Sequence, residues 1–451
     1  MNDITAFFAF LRYCLGYKGD MSSVVTGMDW LELYSFASKQ ALQRLCFEGI
    51  ERLGEEYPEK LKQNPIGREL LMTWMGKAQQ IRRQNRKVNT VASKLFSMLR
   101  EDGLRCCVLK GQGNALMYPN PYSRTPGDID VWIDASRERI LEYAQKKFEL
   151  GDDIRLQHLE TSLDGVPVEL HFFPCSMNNP IYHARLLKWF RRNTDLQCSH
   201  IVGLPDGAGD IAIPTTAFNV IYQLTHLYHH FFDEGIGMRQ IIDYFLVVND
   251  FSKNVFLDND LSNHPVPLSK EGSTFSPSPS SSGSGDVTAP SRCSEPLRSK
   301  DGGPSKVSPD CAGWDRLAIE EDNSAGSTTI VTSSVSTALV VVQRELKYLG
   351  LWKFAGAVMY VLHEALGLSE EKMIAPMDEK RGKLLLAEIL NGGNFGKHFT
   401  KYGGFTHQSM GKKYFLKIWR NMHFVRFFPA EALSEPIFRT WHFFWRMKYK
   451  K

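Results

Sequence analysis

LRCCVLKGQGNALMYPNPYSRTPGDIDVWID, residues 104–134, is the stretch whose reading decides the fold. Two β-like runs bracket it. Arg105-Cys106-Cys107-Val108-Leu109 leads into Lys110-Gly111, and Ile129-Asp130-Val131-Trp132-Ile133 follows Asp128. Between them lie Gly111, Gly113, a short helix-like piece and a Pro/Ser/Arg turn. Residues two apart on a strand point to one face, so Asp128 and Asp130 share a side. Two carboxylates so placed repel each other, and a divalent cation is the usual means of keeping both ionised. D-x-D alone is a weak signal, because Asp also bonds local backbone at turns and strand ends.

Downstream, Arg137 to Phe148 has a helical pattern. Ile154 to Leu163 and Val166 to Phe173 read as strands joined at Asp164-Gly165, a common hairpin dipeptide. The second of these carries Val168-Glu169-Leu170-His171. Residues 101–175 therefore predict strand, helix, strand, helix and hairpin: a small mixed β-sheet in an α/β core.

Outward from this core the pattern is helical. Within 1–100, Trp30, Leu31, Leu33, Tyr34, Phe36 and Ala37 recur at helical spacing, as do Leu42, Leu45, Cys46 and Ile50. Arg68 to Leu99 predicts one long helix or two. Its basic middle, Lys77 to Lys87, is expected to be a solvated face, with a phosphate-facing role as the alternative. In 176–255, Phe218, Ile221, Leu224, Thr225 and Tyr228 share a face behind Thr215 or Thr216 as cap, and a second helix is expected from about Met238 to Val248. Residues 256–336 are rich in Ser, Pro and Gly, and predict a disordered insertion in which Trp314, Leu317 and Ile319 form a short docking turn. Helix resumes over 337–451, with Gly392 as a stop. The last forty residues interleave Lys and Arg with Trp and Phe. Packed aromatics with charges in water are expected there, against single-stranded nucleic acid or an anionic membrane surface. The fold class is α+β: a small mixed sheet flanked by N-terminal and C-terminal helical regions, with a disordered insertion.

Composition narrows the function classes. A hydrophobic fraction of 43% and a charged fraction of 23% over 451 residues are those of a globular chain. A net charge of +4 carries no polyelectrolyte signature. None of the 8 Cys forms a C-x-x-C pair, which fits a reduced, cytoplasmic pool; Cys106 and Cys107 are expected to act as small hydrophobes. Phe7 to Leu11 is apolar but soon meets Arg12, Lys18 and Asp20, so it reads as helix and not as a signal. No run of about 18 apolar residues predicts a transmembrane span. Ser–His–Asp catalysis lacks its G-x-S-x-G.

Lys110-Gly111, Arg124, Gly127-Asp128-Ile129-Asp130-Val131 and Val168-Glu169-Leu170-His171 resemble, in that order, the polymerase-β-type nucleotidyltransferase superfamily. More narrowly, the chain resembles an uncharacterised bacterial nucleotidyltransferase family with an LKG…R…DIDLLV core and a following helical domain. The likeness covers roughly 100–250 and extends more loosely through 337–390. It implies that Asp128 and Asp130 hold Mg²⁺, or Mn²⁺, and that Glu169 is the third carboxylate and candidate base. It also implies a nucleoside triphosphate donor. Gly111 would be the phosphate-loop glycine, and Lys110 and Arg124 would clamp phosphate. Gln112 stands where the superfamily usually has serine.

His226-x-x-His229-His230 puts His226 and His230 at i, i+4, a metal-ligand spacing, but without the glutamate of H-E-x-x-H. Packing against the core, bonded to Asp243 or backbone, is the expectation. The resemblance adds that a His-bearing helix followed by an Arg/Asp-bearing helix brings His226, His230, Arg239 and Asp243 to the cleft. Two alternatives stand beside a nucleotidyltransferase: a D-x-D metal-dependent sugar transferase, and a degenerate nucleotide-binding or partner-binding scaffold without catalysis. No residue pattern selects among a small molecule, a glycan precursor, a peptide and an RNA as acceptor, or sets an oligomeric state.

Overall fold

Alternation along the central strands divides their side chains between two cores. The computed structural model describes residues 4–150, 155–262, 334–398 and 409–449. In it β1 (Cys106–Leu109), β2 (Ile129–Ile133), β3 (His158–Leu163) and β4 (Val166–His171) form one sheet of order β1-β2-β4-β3. The β1/β2 and β3/β4 pairs are antiparallel and β2/β4 is parallel, so the sheet is mixed, as the sequence predicts. Cys106, Val108, Ile129, Val131, Ile133, Val168 and Leu170 enter one core with Val88, Leu95 and Leu99 of the Arg68–Glu101 helix and Ile140 of the Arg137–Lys147 helix. Cys107, Leu109 and Trp132 enter the other, with the Pro180–Ser199 and Thr216–Asp233 helices; Trp132 stacks on Phe218 at 6.1 Å. A sheet covered on both faces explains why its strands read as near-continuous apolar runs. Asp130, Glu169 and His171 are the polar breaks on the second face, and they mark the site.

The hairpin forms at Asp164-Gly165, with φ of +51° and +70° as the tight primed turn requires. β3 begins at His158, not Ile154, and β4 stops at His171; residues 151–154 lie outside the described residues. Arg68–Glu101 is a single helix whose Trp74, Ala78, Ile81 and Asn85 are buried while Arg83, Gln84, Arg86 and Lys87 face water. A short hairpin, β5 (Ile201–Gly203) with β6 (Asp210–Ala212), interrupts a region that reads as helix throughout; three-residue strands are too short to show a period. Thr215 occupies the N-cap position, but its hydroxyl donates to Gln197 Oε1 at 3.1 Å. The Met238–Ser262 and Ser334–Tyr348 helices extend into both edges of the expected insertion. Residues 263–333, with Trp314, Leu317 and Ile319, lie outside the described residues. The described residues belong to one compact unit, and no helix among them is long and apolar enough to cross a membrane.

The tail follows the expectation of packed aromatics with charges in water only in part. Arg420 is buried, and its Nη2 donates to Phe231 O at 2.9 Å. Phe424 and Phe428 pack against Phe231 and Phe232, whereas Trp441, Phe443 and Phe444 are exposed. Glu431 of the Pro429–Tyr449 helix is fully buried and accepts the Asn178 N–H at 2.7 Å and the Asn179 N–H at 3.3 Å. Burial pushes its carboxyl up from 4.5 to about 7. A raised pKa means that the folded chain holds the proton more tightly. The stabilisation from this group is full below pH 4.5 and is lost as the pH rises through 7. Glu431→Gln is therefore expected to flatten the pH dependence of the urea unfolding midpoint across that window. Above it the variant should be the more stable protein, by at most about 3 kcal/mol.

Candidate active site

Lys110 follows β1 with φ +49°, a conformation that costs a non-glycine residue roughly 1–3 kcal/mol. Its ammonium is held 3.1 Å from Asp130 Oδ1 and 2.7 Å from His226 Nε2, a part-buried network that offsets the strain. Burial first, then the Lys110 charge, drive the His226 pKa well below its ordinary value, so the neutral ring accepts from Lys110. Gly111 follows at φ +37° and opens the five-residue helix Gly111–Ala115. Gln112 turns away from the cleft, and its buried amide donates to Asn89 Oδ1 of the long helix. The residue in the serine position thus ties the turn to the scaffold. Asn114 exchanges two amide hydrogen bonds with Gln223, at 2.9 and 2.7 Å.

Asp130 lies opposite Glu169 in the parallel β2/β4 register, and His158 lies opposite His171 across β3/β4. His171 Nε2 is 3.0 Å from Asp130 Oδ1 and 3.2 Å from Glu169 Oε2. Burial alone would lower the His171 pKa, but these two carboxylates raise it to about 9, so it is an imidazolium at neutral pH. Burial likewise opposes ionisation of Asp130, yet Lys110 and His171 hold its carboxyl well below the usual range. His158 Nδ1 is 3.2 Å from Glu169 Oε2; burial and then the His171 charge press its pKa down to about 2, leaving it neutral. Asp128 sits exposed at the strand's entry. The Asp130 charge, then desolvation, then Glu169 push its carboxyl up to about 6. The ligand-type atoms that gather within 4.8 Å of one another are those of His158, Glu169 and His171; Asp130 reaches Glu169 through His171.

Arg124, expected at phosphate, is buried and paired with Asp243. Nε lies 2.9 and 3.1 Å from the two carboxylate oxygens and Nη2 lies 2.9 Å from Oδ2. The Tyr118 hydroxyl donates to Asp243 Oδ1 at 2.8 Å, and Asn85 Nδ2 donates to the Arg124 carbonyl at 2.8 Å. Arg239 Nη1 donates to Thr125 O at 3.1 Å, while its buried Nε has no partner, and neither has Gln240 Nε2. The Arg239 guanidinium lies 5.6 Å from the Phe395 ring centroid. Phe395 belongs to the Gly393–Gly396 turn, which Gly237 admits by close approach. A Cβ at Gly237 would stand 2.6 Å from Asn394 Cα.

These groups surround one cleft with ≈ 530 Å³ of empty space, its open mouth included. Lys110, Gly111, Arg124, Asp128, Asp130, His226, Arg239 and Asp243 all line it, eight of the ten residues singled out in the sequence. Glu169 adjoins it through Asp130 and His171, and His230 through His226, at 3.1 Å between Nε2 atoms. His171, two residues from Glu169 and so on its face, was open to detection by strand alternation. His158, Gln240 and Phe395 carried no local signal.

A family model described as "Uncharacterised nucleotidyltransferase" matches residues 26–262, and the chain belongs to that family. The match takes in more of the N-terminal helices than the motif likeness did, and it ends with the Met238–Ser262 helix, before Phe395 and the tail. No curated protein and no solved structure matches the chain. The described residues before β1 contain helices and no strand, so among them there is no N-terminal doubly wound domain of the kind a D-x-D sugar transferase would need.

Proposed function

We propose that the protein is a divalent-metal-dependent nucleotidyltransferase that moves a nucleoside monophosphate from a nucleoside triphosphate to an acceptor hydroxyl or phosphate and releases pyrophosphate. The observation that carries this reading is the Asp128–Asp130 pair at a cleft that the Lys110 ammonium and the Arg239 guanidinium also line. The donor set fits a hard cation. Both residues offer carboxylate oxygen, and no side-chain cation forms an ion pair with Asp128 among the described residues. The upward push on Asp128 is the mark of a site short of positive charge. Asp128 and Asp130 would hold Mg²⁺ or Mn²⁺, with Glu169 completing the set. Bound there, the ion would supply Lewis-acid stabilisation of the phosphate oxygens.

The remaining roles belong to the chain. Arg239 Nε and Gln240 Nε2 are buried donors without acceptors, and triphosphate oxygens satisfy them. Lys110 adds a charge-assisted donor beside Asp130. The acceptor oxygen attacks the α-phosphorus, the bond to the β-phosphate bridging oxygen breaks, and its electron pair leaves on pyrophosphate. Glu169 takes the acceptor's proton, and His171 orients that carboxylate. The test incubates the full chain with each α-phosphorus-labelled nucleoside triphosphate, Mg²⁺ and cell extract. Label is expected in one acceptor species, with pyrophosphate released, and both signals should vanish in excess chelator. Undiminished labelling in chelator, or no calorimetric binding of any Mg·triphosphate, overturns the reading.

A further inference from the structure

A second cavity, with ≈ 570 Å³ of empty space, is left unused by the nucleotide reading. Its walls come from the segments flanking β3 and β4, from the Thr216–Asp233 helix and from the Pro429–Tyr449 helix. Its charges are internally matched. Arg439 Nη2 is 2.7 Å from Asp233 and also pairs with Glu435. Arg155 pairs with Glu160 at 2.9 Å. A cavity so balanced does not call for a phosphate or a free ammonium ion. What it leaves over is a set of buried polar atoms without hydrogen-bond partners: Asn178 Nδ2 and Glu435 Oε2, on residues 5% and 2% exposed, and His229 Nδ1. Unpaired buried polar atoms are costly, so their presence at a cavity points to a ligand that completes them. A hydroxyl group both donates and accepts, and two hydroxyls on one ring satisfy an amide N–H and a carboxylate oxygen together. Half-buried Phe438, stacked on His442 at 5.8 Å, adds an apolar surface for the C–H face of such a ring.

Two residues of its wall adjoin, along the chain, residues of the first site. Gln157 in its wall directly precedes His158, whose Nδ1 is 3.2 Å from Glu169 Oε2. His229 in its wall is one helical turn from His226, which lines the first cleft. We infer that this second cavity is the acceptor site and takes a neutral polyhydroxylated ring, a sugar or a cyclitol. One ring hydroxyl forms the new oxygen–phosphorus bond while pyrophosphate departs and the hydroxyl proton passes to Glu169. The product is a phosphodiester joining ring and nucleoside. The transfer step rests on the nucleotidyltransferase reading; ligand binding in the cavity does not.

Saturation-transfer NMR on the full chain, with D-glucose and myo-inositol as probes and glycine and inorganic phosphate as controls, reads binding without turnover. It is run with and without a Mg·triphosphate analogue. Transfer to at least one polyol and to neither control is expected, and the two probes separate sugar from cyclitol. Asn178→Ala and Glu435→Gln should each weaken that binding roughly tenfold, the scale of one hydrogen bond to a charged or buried group. Phe438→Ala, which touches no polar contact, serves if either variant fails to fold. Unchanged calorimetric binding of the Mg·triphosphate identifies intact variants. No transfer to either polyol from a protein that binds Mg·triphosphate overturns the assignment, and so does equal polyol affinity in all three variants. Polyol binding in a protein that binds no triphosphate would sink the nucleotide reading and leave the polyol cavity standing.

Discussion

Asp128→Asn is expected to lower nucleotidyl transfer about a thousandfold, the scale at which removal of one preorganised charge-stabilising group is felt. Asp130→Asn should lose as much, yet the two variants should part in stability. Asp128 pairs with no side-chain cation among the described residues, and the Asp130 charge pushes its carboxyl up to about 6. A raised carboxyl pKa destabilises the fold once the pH passes it, so the neutral amide relieves repulsion and the melting temperature at pH 8 should rise or hold. Asp130 is the reverse case. It is 5% exposed and anchors both Lys110, at 3.1 Å, and His171, at 3.0 Å. Its replacement leaves the part-buried Lys110 ammonium without a carboxylate and His171 with Glu169 alone, at a cost of about 3–5 kcal/mol. Thermal melts of the two variants beside a labelled-nucleotide assay check this. Matching stability losses in both would show that Asp128 is a structural ion-pair member and no metal ligand.

What the sequence made legible follows from range. β1, β2 and the Asp164-Gly165 hairpin were readable because strand apolarity and turn chemistry act within a few residues. The Asp pair was readable because alternation places it on one face. The other half of the site depends on register and docking. Arg124 and Asp243 meet across 119 positions of chain, and nothing near either residue announces the pair. His158 faces His171 through cross-strand register alone. Phe395 reaches the cleft because Gly237 lets a distant turn approach. Arg420 and Glu431 sit in a run whose average character is basic and exposed, and the average hides the two that are buried. Gln112, a departure from the superfamily serine, has a structural explanation in its bond to Asn89. That bond gives it no phosphate role.

Asp243→Ala should be among the most destabilising single changes in the cleft. Asp243 is 5% exposed and is the counter-ion of Arg124, which is equally buried; its charge also acts on Arg239. One carboxylate therefore balances two guanidinium groups, and the wall keeps a net positive charge. Removing it leaves both cations without compensation and takes the acceptor from the Tyr118 hydroxyl. A loss of about 3–5 kcal/mol is expected, read as a fall in the urea midpoint. An apolar replacement of the group, Tyr118→Phe/Arg124→Met/Asp243→Leu, should recover the part owed to Arg124 and Tyr118 while Arg239 stays without that counter-ion, because the cost comes from stranded charge and not from lost volume. The same excess positive charge gives the loss a functional signature. A triphosphate or pyrophosphate in the cleft supplies the missing anion, so Mg·triphosphate should raise the melting temperature of Asp243→Ala by more than it raises that of the wild type. An equal or smaller shift would mean that Arg124 and Arg239 do not face the bound phosphates, and their part in donor binding would then fall.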